Sequence, residues 1–116
     1  MVFKPKQEVE NYYLPQITII GRKHVETWLT ENGYFDIKKQ MLQSNDYGFT
    51  AKGKIEGILV QIRTFLHPQR LFKLSDFEIN ALSAKAVKKG LIAYAAYVIV
   101  DDKNNLTEDI LWERLS

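Results

Sequence analysis

Residues 58–65 read ILVQIRTF, and Gln61 and Arg63 stand out in a run that is otherwise almost wholly apolar. A run this apolar reads as a central strand, covered on both faces. Gln61 and Arg63 are two residues apart, so an extended chain points both to the same face. An amide and a guanidinium on one face of a central strand require partners there, because burying an unpaired polar group is costly. Two explanations compete. Either the face is wet, with Arg63 pairing to Glu56 or Asp46, or these two side chains belong to a functional site.

The flanking sequence places the strand in a fold. Upstream, SNDYG (44–48) is turn chemistry. FTAKGKIEG then reads as a hairpin, with Phe49 to Lys52 as one arm, Gly53-Lys54 at the turn, and Gly57 to Phe65 as the other arm. Downstream, HPQR (67–70) is a loop. SDFE (75–78) is a capping box, with Ser75 as N-cap and Glu78 at the third helical position. The helix it opens runs to Gly90, with Phe77, Leu82 and Ala86 in its buried stripe. LIAYAAYVIV (91–100) is a second continuous apolar run and reads as another central strand. The strand–helix–strand order implies a parallel pair with a crossover helix. DDKNN is a turn, and LTEDILWERLS closes as a short strand or helix.

Before the hairpin, Ile17, Ile20, Val25, Trp28 and Leu29 recur at helical spacing and Gly33 follows at the C-cap position. This predicts a helix over about 17–32, starting at Pro15 or Thr18. YFDIKKQML alternates and reads as a half-buried strand. The expectation is one α/β domain over 17–116, a mixed central sheet flanked by helices, preceded by an arm at 1–16.

Composition bounds the chemistry. The 116 residues suit one domain, and 46% hydrophobic with 12% aromatic residues is a globular composition. A net charge of +2, from 16 basic and 14 acidic residues, leaves no global electrostatic footprint for nucleic acid. Any such argument rests on local clustering. With no cysteine, disulfides and thiolate zinc sites are excluded. Only His24 and His67 are present, neither with a ligand partner at useful spacing, and both read as structural or surface residues. Carboxylates are plentiful, so a hard cation remains open. No apolar run approaches the roughly 20 residues of a membrane helix, and MVFKPKQEVENYYLPQ is not a signal peptide. The expectation is a cytoplasmic protein with no membrane partner.

GRKHVETWLTENGY (21–34), NDYGFTAKGK (45–54), ILVQIRTF (58–65) and the tail from Ala93 carry a resemblance over about residues 17–112. They resemble the PD-(D/E)XK, or restriction-endonuclease-like, nuclease superfamily, in its small Holliday-junction-resolvase and Mrr-like branch. The resemblance implies a helix Glu, matched by Glu26, and a hairpin Asp, matched by Asp46. It implies a Glu/Gln-x-Lys motif matched by Gln61 and Arg63. In that scheme Glu26, Asp46 and Gln61 ligate Mg²⁺, which offsets phosphate charge and lowers the pKa of the attacking water. Asp46, Gln61 and Arg63 are then the catalytic set. Arg63, Arg70, Lys73 and Lys85 face DNA, and a homodimer is implied, since one such domain covers little duplex.

The departures are chemical. Gln61 supplies an uncharged oxygen where the motif has a carboxylate. Arg63 stays protonated and cannot act as a base. Aligning Phe49-Thr50-Ala51 with the apolar stretch after the family Asp places Gly48, not Asp46, at that position. Each candidate also has a plain explanation. Glu26 can pair along its helix with Arg22 or Lys23. Asp46 can bond its own backbone in a turn, and Lys88 and Lys89 suit a helix C-terminus. Trp28, Trp112, Tyr94 and Tyr97 read as core. Three functions follow: an active metal-dependent nuclease, a catalytically dead nucleic-acid-binding relative, or a non-catalytic protein-interaction module.

Overall fold

Gly57–Leu66 forms strand β3, the middle strand of a five-stranded sheet ordered β1-β2-β3-β4-β5. The structure, a computed structural model, describes residues 5–42 and 47–116. Its elements are helix α1 (Pro5–Glu31), β1 (Phe35–Met41), β2 (Tyr47–Lys52), β3, helix α2 (Asp76–Lys89), β4 (Ile92–Val100) and β5 (Leu111–Arg114). β1, β2 and β3 run as an antiparallel meander. β3 then pairs parallel with β4 from Ile58↔Ile92 to Leu66↔Val100, with α2 as the crossover. β5 adds antiparallel to β4 and forms the second edge.

The alternation of β3 divides the core in two. Ile58, Val60 and Ile62 pack with Val25 and Leu29 of α1, Phe49 and Ala51 of β2, and Ala96, Val98 and Val100 of β4. Leu59 and Phe65 face the other way, into clusters with Leu82 and Ala86 of α2 and with Leu74, Ala93, Ala95 and Tyr97. The helices therefore lie on opposite faces of the sheet. Each buried Leu, Ile or Val contributes roughly 1.5–3 kcal/mol, so the unbroken apolar runs of β3 and β4 specify their central positions.

α1 approaches β3 closely at one glycine. A Cβ on Gly21 would stand 1.7 Å from Thr64 Oγ1, so only glycine lets the helix sit at this depth. The helix is longer than its apolar periodicity indicates. It begins at Pro5, where a missing N–H matters least, and runs through Pro15 and the segment read as an arm. At its other end Gly33 adopts φ +86 and Tyr34 N–H bonds to Leu29 O, as the C-cap reading requires.

α2 has both expected caps. Ser75 Oγ accepts from Glu78 N–H at 3.2 Å, and Glu78 Oε1 accepts from Ser75 N–H at 2.9 Å. Gly90 closes the helix at φ +69. Its buried stripe is Leu82 and Ala86, joined by Ile79. Phe77, read as part of that stripe, is 72% exposed and points away from the sheet. One helical residue separates it from Ile79, and a step of about 100° per residue carries it to the outer face. The turn after β4 is held by Asp101, whose carboxylate accepts the N–H groups of Lys103 and Asn105. Those bonds hold its pKa below the usual carboxylate value. No described helix is long and apolar enough to cross a membrane.

Candidate functional site

The face of β3 beneath α2 carries Leu59, Gln61, Arg63 and Phe65 in alternation. Gln61 is 2% exposed. Its register neighbours are Gly48 on β2 and Ala95 on β4, both small and buried, so the amide occupies space that its neighbours leave free.

Arg63 is engaged. Its Nη2 donates to Glu78 Oε2 at 2.5 Å, and both side chains are only 12% exposed. Glu78 thus does two jobs. One oxygen completes the capping box of α2, and the other binds β3. The Arg63 guanidinium also stands over the Phe72 ring, 5.2 Å from its centroid, and Phe72 meets Phe65 edge to face at 5.2 Å. The sequence reading named Glu56 or Asp46 as partners of Arg63. Glu78, carried over β3 by the crossover helix, is a partner that this reading did not name, and the pairing with Asp46 lies outside the described residues.

Beside Arg63 in register lies Tyr97 of β4. Its hydroxyl accepts from Leu74 N–H at 3.0 Å and approaches Glu113 Oε1 at 3.4 Å. Burial raises the Tyr97 pKa above that of a free phenol. The Leu74 bond and Arg63 oppose this, and Glu113 adds to it. Glu113 in turn pairs with Lys73 at 3.2 Å. A polar seam therefore runs from β3 through β4 to β5 at the N-terminal end of α2. Its groups are matched in charge and bonded to one another, which is the arrangement of a structural lock.

The remaining sequence candidates do not converge on it. Glu26 is exposed on α1, across the sheet from Gln61. Asp46 lies outside the described residues. Gly48 faces Leu42 and the β3 backbone, and a Cβ there would stand 2.2 Å from Val60 O and 2.4 Å from Leu42 Cδ1. This position has no room for a carboxylate. Among the described residues, no group of three or more His, Asp or Glu is placed to hold a metal. Glu26 and Gln61, on opposite sides of the sheet, do not fit a shared Mg²⁺ centre.

The basic residues also divide. Lys52 pairs with Asp36 at 3.2 Å, and Lys73 is committed to Glu113. Arg70 is exposed on the loop before α2, and Lys85 is half-buried on α2. Neither forms an ion pair among the described residues. Two hollows of about 540 and 460 Å³ lie elsewhere. One is at the C-terminal end of α1 against the β2–β3 turn, and the other is between α1 and the loop before β5. The second holds His24, whose Nε2 bonds Asn104 O. In the first, burial and then Glu56 raise the Tyr34 pKa.

The capping box revealed Glu78 in the sequence, but nothing in its spacing revealed the second bond to Arg63. Tyr97 and Glu113 were visible only as a core aromatic and a terminal carboxylate. The chain matches no family model, and a search of the curated proteins finds no match.

Proposed function

We propose that this chain is a non-hydrolytic nucleic-acid-binding domain, a degenerate relative of the restriction-endonuclease-like nucleases. The observation that supports the reading is the Arg63–Glu78 pair. Arg63 holds the position where the nuclease motif carries its lysine, and here that cation is spent on the fold. An arginine bonded to a carboxylate under a helix activates no water and meets no phosphate. The closed space at Gly48 supports the same reading, since a metal ligand cannot be restored there without moving β3. The exposed Arg70 and the half-buried Lys85 supply the phosphate contacts in this scheme.

The test is fluorescence anisotropy with labelled single-stranded, duplex and branched oligonucleotides, in EDTA and in Mg²⁺ or Mn²⁺. The expected result is binding that metal does not alter, that falls with salt, that Asp46→Ala leaves intact, and that yields no cleavage. Metal-dependent cleavage abolished by Asp46→Ala would overturn the reading in favour of an active nuclease. No binding to any oligonucleotide would leave a protein-interaction module instead.

A further inference from the structure

Asn32 and Gly33 follow one another, both exposed, where α1 ends and the chain turns toward β1. Of the six asparagines in the chain, Asn32 is the one with a glycine after it. Such a pair carries its own reactivity. The backbone nitrogen of the second residue can reach the side-chain carbonyl carbon of the first, and glycine offers no Cβ to obstruct the approach. A Cβ built on Gly33 would meet nothing within 4 Å, so no neighbour covers that side of the pair.

We infer that Asn32–Gly33 is a site of spontaneous deamidation and chain isomerisation, gated by the C-terminal cap of α1. The step balances with water as its co-reactant. The Gly33 nitrogen gives its proton to solvent and bonds to Asn32 Cγ. The Cγ–Nδ2 bond breaks, and ammonia leaves. The succinimide ring that results takes up one water. Opening between Cγ and the Gly33 nitrogen gives an aspartate. Opening on the main-chain carbonyl side gives an isoaspartate, whose chain runs through the former side chain.

The folded chain holds both nitrogens involved. Asn32 Nδ2 donates to Trp28 O at 2.8 Å, and the Gly33 N–H donates to Thr30 O at 3.2 Å. The attacking nitrogen and the departing one are thus tied to the last turn of α1, and fraying of the helix end must release both. The products do not restore the cap. A carboxylate cannot donate to Trp28 O, and it adds negative charge beside Glu31 at the negative end of the helix dipole. The isoaspartate also lengthens the main chain ahead of Tyr34. The Tyr34 N–H bonds Leu29 O at 2.9 Å, and its side chain packs on the core that α1 shares with the sheet.

The experiment is incubation of the full chain in mildly alkaline heavy-oxygen water, in native buffer and in urea, with peptide mapping by tandem mass spectrometry. Heavy oxygen is expected at position 32 in both, about fivefold or more faster in urea, the effect of two ordinary hydrogen bonds that break together. In urea, where no fold distinguishes them, the other asparagines are expected to lag behind Asn32. Asn32→Asp, which reproduces the unisomerised product, is expected to melt a few degrees below wild type. Absence of uptake at position 32 in urea, or faster uptake at another asparagine there, overturns the site. Equal rates in native buffer and urea overturn the gating by the cap. An Asn32→Asp chain that melts like wild type overturns the consequence drawn for α1.

Discussion

Replacing Glu78 by Gln tests the lock between β3 and α2. Glutamine keeps the length of the side chain and its capping oxygen, since the capping box accepts Glu or Gln at this position. The substitution therefore leaves the Ser75 bond and removes only the charge that faces Arg63. Both side chains are 12% exposed, so water replaces the lost partner only in part. Removing one member of a buried ion pair costs about 3–5 kcal/mol, and the residual exposure here favours the lower end, about 3 kcal/mol. For a domain of this size that corresponds to a loss on the order of 10 °C in Tm. Glu78→Ala additionally removes the cap and costs about 1 kcal/mol more. The double variant Arg63→Met/Glu78→Gln is expected to recover part of the loss, because the charge that faced Glu78 is gone. Urea unfolding followed by tryptophan fluorescence reads all four corners of the cycle, with Trp28 and Trp112, tilted rings with centroids 4.6 Å apart, as the reporter. A Glu78→Gln cost below about 1 kcal/mol would refute the reasoning. It would mean that Glu78 is not what holds Arg63 over β3, and the site would have to be rebuilt on that footing.

Other outcomes follow from particular contacts. Gly21→Ala puts a Cβ against Thr64 Oγ1 and is expected to cost about 1–3 kcal/mol, partly relieved by Thr64→Ala, as read by denaturant midpoints. Gly48→Asp restores the carboxylate that the nuclease pattern wants. It is expected to destabilise the fold and to produce no Mn²⁺ binding by calorimetry, because the Cβ meets the Val60 carbonyl. Tyr97→Phe leaves the buried Leu74 N–H without its acceptor and is expected to cost about 1–2 kcal/mol. The raised phenol pKa of Tyr97 also has a linkage consequence. The folded state holds the proton more tightly than the unfolded chain. Its contribution is full below the unfolded value of 10.0 and is lost as pH rises above it, with Tyr34 acting in the same window. Melting from pH 9 upward should fall less steeply in Tyr97→Phe than in wild type, and equal slopes would remove the assignment.

Local chemistry accounts for what was legible in the chain. The apolar runs at 58–65 and 91–100, the capping box at Ser75, the glycines at 33 and 90 and the hairpin before Gly57 are signals carried by neighbouring residues. All of them appear in the structure as read. The misreadings came where neighbours were not enough. Phe77 looked like part of an apolar stripe, but the face of α2 that meets the sheet carries Ile79, Leu82 and Ala86 instead.

The sequence by itself determined the element order, the central place of β3 and β4, and the sharing of one face by Gln61 and Arg63, because hydrophobic periodicity and turn chemistry act over a few residues. Only the tertiary structure decided what that face does. Arg63 and Glu78 are fifteen residues apart, and they meet because a crossover helix returns over the strand it left. Glu26 and Gln61 read as companions in a motif, yet α1 and α2 cover opposite faces of the sheet and hold them apart. A pairing that depends on how helices pack across a sheet leaves no periodic trace in the chain. A cation's role is settled by which carboxylate the fold brings to it.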